Sequence, residues 1–173
     1  MSPLEAGLRQ PDARSCGAAS MVLARALADP AYGELVVGGA FADEVLALHR
    51  RLTSSRDRSG HRQLPWLRAI GTPPWAIAHE LATITGQGHE VHLARWRSAT
   101  AYDRLAAGGA LYVGSRRLPR HVVLVLPDGR VYDPASGRVL ALDRPAFVAG
   151  TLHLAGWTHP WFTITPARPL RRP

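Results

Sequence analysis

The chain has 173 residues, 21 basic against 13 acidic for a formal charge of +8 with histidines neutral, and 46% of it is hydrophobic. That is the profile of one globular domain, able to bury about 70% of the surface its unfolded chain exposes, and it excludes extended disorder. Every basic residue is Arg, neither Lys nor Asn occurs, and Cys16 is the only cysteine, which removes lysine Schiff bases, a P-loop lysine, any Cys-His-Asn triad, internal disulfides and multi-thiolate zinc cages.

The longest uncharged apolar stretches, 69–79 and 121–127, are far below the roughly 20 residues that span a bilayer, and Glu5 and Arg9 interrupt the first ten residues, where a signal peptide needs an apolar core. A cytoplasmic protein, or a domain of a secreted effector, is therefore expected, with no membrane partner. The arginines fall into separate small groups, 50–51, 56–62 and 116–120, without interleaved aromatics, so no nucleic-acid partner is expected.

In chain order, Asp12 or Ser15 is placed to cap a helix from Cys16 to about Ala28, nearly all of whose faces are apolar or small, and Asp29-Pro30 stops it. A second helix is expected over 41–52, with Phe41, Val45, Leu48 and Leu52 on one side, followed by a polar loop over 53–62. Thr72 is read as the cap of a third helix whose first turn holds Pro73 and Pro74, whose apolar face is Trp75, Ala78, Ala82 and Ile84, and which Gly86 ends. Short strands are expected at 90–94, 111–114, 121–126, 130–132, 139–142 and 162–165, with a short helix near 99–107. Helices first and a mostly antiparallel sheet second define an α+β domain over 1–165, with 166–173 as a flexible tail.

Two stretches carry chemistry. In Gln10-Pro11-Asp12-Ala13-Arg14-Ser15-Cys16-Gly17, the cysteine opens a buried helix, where unpaired N–H groups and the helix dipole stabilise a thiolate. Gln10, in the preceding turn, can bring a side-chain N–H toward the same point, so that it and the Cys16 N–H form an oxyanion hole, and Gly17 leaves room for substrate. Taken alone, a single cysteine is more often a small core residue. In the second stretch, 120–134, Pro127-Asp128-Gly129 suits a three-residue hairpin loop with Gly129 left-handed. That loop pairs 126 with 130 and places Asp133 opposite Val123, on the same face as His121 and within hydrogen-bonding reach of it. A two-residue Asp-Gly loop would put His121 on the other face.

Gln10, Ser15-Cys16-Gly17-Ala18-Ala19, Arg120-His121-Val122-Val123-Leu124 and Tyr132-Asp133-Pro134-Ala135-Ser136-Gly137 together resemble the papain-like cysteine peptidases. Within them the chain is most similar to the bacterial branch that includes the bacteriocin-processing, double-glycine leader peptidase domains. The resemblance runs from Gln10 to about Thr165, and its most specific elements are the Asp-Pro-Ala-x-Gly run and the following 147–150 stretch. It implies Cys16 as nucleophile, His121 as general base and then acid, Asp133 as its orienter and Gln10 in the oxyanion hole, acting without cofactor on a peptide or protein. Water, a side-chain amide or an amine acceptor would make the same residues a peptidase, a deamidase or a transamidating effector, while a non-catalytic binding module is a further reading of the same fold.

Other candidates are weaker. His89 and His92, three apart on a strand, face opposite sides and do not converge on a metal. The five tryptophans, Trp66, Trp75, Trp96, Trp157 and Trp161, read as core or rim, with Trp157 a candidate to line the cleft beside His121. Arg116, Arg117 and Arg120 read as a solvated loop, or as selectors for an acidic substrate.

Overall fold

In a computed structural model of the chain, residues 1–56, 62, 71–95 and 98–167 are described. The long apolar run that begins at Cys16 folds as α1 (Cys16–Ala28), buried on almost every side. Asp29 ends it in extended conformation, and the same residue starts α2 (Pro30–Leu35), its carboxylate accepting the Tyr32 N–H at 3.1 Å with Pro30 in the first turn. Asp29-Pro30, expected only as a stop, thus also starts a helix. A wide turn, Val36–Ala40, with Gly39 at φ +119°, leads into α3 (Phe41–Leu52), whose buried side carries Phe41, Val45, Leu48 and Leu52 as expected. Arg56 and Arg62 form an isolated antiparallel bridge in the expected polar loop.

The third expected helix is α4 (Pro74–Thr85), with two corrections. Pro73 is its cap residue, whereas Thr72 turns inward, and the buried side is Ala76, Ile77, Ala78, Glu80 and Leu81. The face is rotated because α4 packs on both α1 and the sheet edge, contacts that periodicity in one short helix does not determine. Trp66 and Trp96 lie outside the described residues.

Six strands follow: β1 (His89–Leu93), β2 (Gly109–Gly114), β3 (Pro119–Val125), β4 (Arg130–Asp133), β5 (Arg138–Ala141) and β6 (His159–Pro166). They form one sheet in the order β1-β6-β2-β3-β4-β5, antiparallel at every pairing. Pro166 pairs with His89 and the Ala167 N–H donates to Gly88 O at 2.8 Å. The first two residues of the expected tail thus belong to the sheet, and 168–173 lie outside the described residues.

Strand alternation divides the core in two. Ala110, Tyr112, Val122, Leu124, Tyr132 and Ile164 meet α1, α3 and α4 on one face. Leu111, Val113, Val123, Val125 and Val131 meet α5 (Ser98–Arg104) and α6 (Arg144–Ala149) on the other. The architecture is α+β with the long helices N-terminal, but both faces are covered, which is why β2 and β3 read as continuous apolar runs instead of alternating ones. Among the described residues no helix is long and apolar enough to cross a membrane.

Candidate active site

The hairpin that positions His121 and Asp133 has the register the three-residue loop demands. Leu124 pairs with Tyr132 and Val125 with Val131, the Leu126 N–H donates to Arg130 O at 2.8 Å, and Gly129 takes φ +80°. One further step along the ladder sets Asp133 opposite Val123. His121 Nε2 and Asp133 Oδ1 are 2.7 Å apart, with the two residues only 6% and 2% exposed.

The carboxylate is held from every side. Its Oδ1 also accepts the Ala135 N–H at 3.0 Å, and its Oδ2 accepts the Ser136 hydroxyl at 2.7 Å and the Ser136 N–H at 3.3 Å. These are the bonds of a tight turn over 133–137, closed by the Gly137 N–H on Asp133 O. Burial opposes the charge of Asp133, but hydrogen bonds from His121, Ser136 and Ala135 outweigh it and bring its pKa from 3.8 to about 2.

Cys16 lies at the N-terminus of α1, against the start of β3. Cys16 and His121 line the same cavity, the thiol contributes to raising the His121 pKa, and because Nε2 is committed to Asp133, Nδ1 is the ring nitrogen free to face sulfur. For His121 burial favours the neutral ring, yet the hydrogen bonds to Asp133 and Cys16, together with their negative charge, raise its pKa from 6.5 to about 9. This favours the imidazolium, the form that can hand a proton to a leaving group.

Cys16, His121 and Arg120 line one end of a cavity of about 520 Å³, with Gly71, Thr72 and Pro119 beside them. Tyr112, Phe162, Trp75 and Val91 continue its wall away from the thiol. Tyr112 donates its hydroxyl to Thr72 O at 2.8 Å, and burial, reinforced by the charge of Cys16, raises its pKa well above 10. Neither Tyr112 nor Phe162 stands out in the sequence, since an apolar strand residue reads the same whether it faces protein or a cavity.

Three expected site residues are placed differently. Gly17 makes room for protein, not substrate: a Cβ there would lie 2.8 Å from Thr72 Cβ and Oγ1. Trp157 sits in the tight turn it forms with Leu154 and packs on the α5 and α6 face, across the sheet from the residues that surround α1. Gln10 stands beside the orienting turn, its N–H donating to Pro134 O at 2.8 Å, while its side-chain Nε2 donates to Asp12 O at 2.6 Å. It is not among the residues of the cavity wall. Asp12, not Ser15, organises the turn before the helix: its Oδ1 accepts the N–H groups of Arg14 and Ser15 at 2.8 and 2.9 Å, and Ser15 makes no capping bond. His89 and His92 lie on β1, His89 Nδ1 against Gln87 O and His92 between Arg104 and Glu90.

No family model matches this chain, and no curated protein matches it either. The class of protein is therefore argued from the site alone.

Proposed function

We propose that the chain is a papain-like cysteine hydrolase or acyltransferase, in which Cys16 is the nucleophile, His121 the acid and base, and Asp133 the group that orients the ring. The observation that supports this best is the buried His121 imidazole bonded to Asp133 and lining one cavity with a thiol that opens a helix. Cys16 sulfur attacks an acyl carbonyl, the C–S bond forms as the bond to the leaving group breaks, and the proton on His121 passes to that group. Water, or an amine acceptor, then takes the acyl group from sulfur and frees the thiol. The Cys16 N–H holds the oxyanion in this scheme; Gln10 would join it only with its side chain turned away from Asp12 O. A peptide or protein, as expected from the resemblance, is one acyl donor for such a site.

The test needs no substrate. The rate of Cys16 alkylation by iodoacetamide is followed from pH 5 to 10 in the wild type and in His121→Ala. The proposal expects labelling at pH 6 at least tenfold faster in the wild type than in the variant. Equal rates at every pH would refute the pairing and leave Cys16 a buried structural thiol.

A further inference from the structure

We infer that the acyl group transferred to Cys16 is a long unbranched apolar chain, lying across the sheet from the thiol to the edge strand β1. The inference rests on the thiol chemistry proposed above and names its donor class. The cavity does not stop beside Cys16. On the face that meets α1 and α4, Val122 of β3, Tyr112 of β2 and Phe162 of β6 are cross-strand neighbours, and all three line it, as does Val91 on β1. Four adjacent strands thus floor a single cavity, with Pro74 and Trp75 at the start of α4 as further wall. Three strand spacings of about 4.8 Å make a path of roughly 14 Å, the length of an extended chain of about eleven carbons and beyond the reach of any single amino-acid side chain.

The polar groups at the middle of this path are largely used. Tyr112 N–H and C=O belong to the ladders with β3 and β6, Phe162 is paired on both sides, Pro74 has no N–H, and the Tyr112 hydroxyl is given to Thr72 O. Peptide groups entering here would lose water and find few partners, which is costly; methylene groups have nothing to satisfy. At the far end Val91 is 40% exposed, and Leu93, on the same face of β1, is 41% exposed. The apolar path therefore reaches the surface at an edge strand, where natural sheets usually place charge. At the near end His121 and Arg120 form the polar side, where a leaving group would depart to water. The reaction balances without a co-reactant other than water: a fatty amide or ester gives its acyl group to Cys16 sulfur, the amine or alcohol leaves with the proton from His121, and water releases the carboxylic acid.

The test uses p-nitrophenyl esters from acetyl to hexadecanoyl, kept below their micellar concentrations, with wild-type protein and Val91→Glu. Val91 is half exposed on an edge strand, so the substitution is compatible with folding. Because each methylene buried in an apolar channel is worth about a three- to fourfold gain, kcat/KM is expected to climb with chain length to ten or twelve carbons and then level or fall. Val91→Glu is expected to lower the dodecanoyl-to-acetyl ratio at least tenfold. Turnover that is flat or declining with chain length would overturn the inference while leaving the thiol chemistry standing. Absence of turnover for every ester would overturn it too, and the iodoacetamide comparison on the same sample then reports separately whether the Cys16–His121 pairing survives.

Discussion

Removing the Asp133 carboxylate is the most informative single perturbation. His121 has its pKa raised from 6.5 to about 9 in the folded protein, and Asp133 has its own lowered from 3.8 to about 2. The first shift corresponds to roughly 3 kcal/mol in favour of the charged ring. A raised pKa contributes stability that is fully present below 6.5 and lost as pH rises through about 9; a lowered one contributes stability present above 3.8 and lost as pH falls through about 2. The pair therefore contributes in full between about pH 4 and 6.5. Asp133→Ala strands an imidazole in a site only 6% exposed, and loss of one partner from a buried pair costs about 3–5 kcal/mol. Urea unfolding should show that difference in full near pH 6 and less of it at pH 10, smaller by the share of the roughly 3 kcal/mol that Asp133 supplies. In parallel, His121 titrated by NMR should move below 9, because burial, which opposes the charged ring, then works with one opponent fewer. A stability difference that stays constant from pH 6 to 10, or a His121 that still titrates near 9 in the variant, would refute the reasoning. Asp133→Asn separates charge from orientation: its Oδ1 can still accept the ring N–H, so it should lower the His121 pKa yet retain more Cys16 labelling than Asp133→Ala.

With an ester or amide whose leaving group must be protonated, kcat/KM should fall on the alkaline side with an apparent pKa near 9, as His121 loses the proton it gives to that group; a profile flat to pH 10 would exclude His121 as the acid. With its Nε2 given to Asp12 O and its side chain outside the cavity wall, Gln10→Ala should leave kcat within about threefold of wild type, and a loss of about 100- to 1000-fold would place Gln10 in the oxyanion hole. Gly17→Ala should destabilise by about 1–3 kcal/mol in urea unfolding although alanine is normally the better helix former, because the new Cβ meets a Thr72 whose carbonyl is tied to Tyr112; a stabilised variant would show that the 71–73 segment yields freely.

The parts of the fold legible in the sequence were those encoded over short range. The cap region, the apolar run and the Asp29-Pro30 stop delimit α1, and the loop Pro127-Asp128-Gly129 sets a register from which the pairing of His121 with Asp133 follows by alternation alone. What the sequence hid depends on partners distant in the chain. The buried side of α4 is set by α1 and the sheet, not by its own period, and Gly17 answers to Thr72, fifty-five positions away. Covering of the second sheet face by α5 and α6 was missed because α6 has only six residues, too few to show a period. Trp157 was aimed at the cleft on position alone, and the two-residue turn before it sends it to the opposite face.

The orienting role of Asp133 follows from how fully its oxygens are used. A carboxylate offers about four acceptor positions, and here two bonds reach Oδ1 and two reach Oδ2. Three of the four come from its own turn, so the group can neither rotate nor accept a proton without breaking that turn. The turn is fixed in its place by the segment that leads to the nucleophile: the Tyr132 hydroxyl donates to Leu8 O, Arg9 Nε to Ala135 O and the Gln10 N–H to Pro134 O. Residues 8–10 and 132–135 thus form one strapped unit, from which the chain reaches Cys16 in six residues. In the proposed mechanism proton transfer falls to His121 Nδ1, the ring nitrogen not committed to Asp133, toward the sulfur of Cys16.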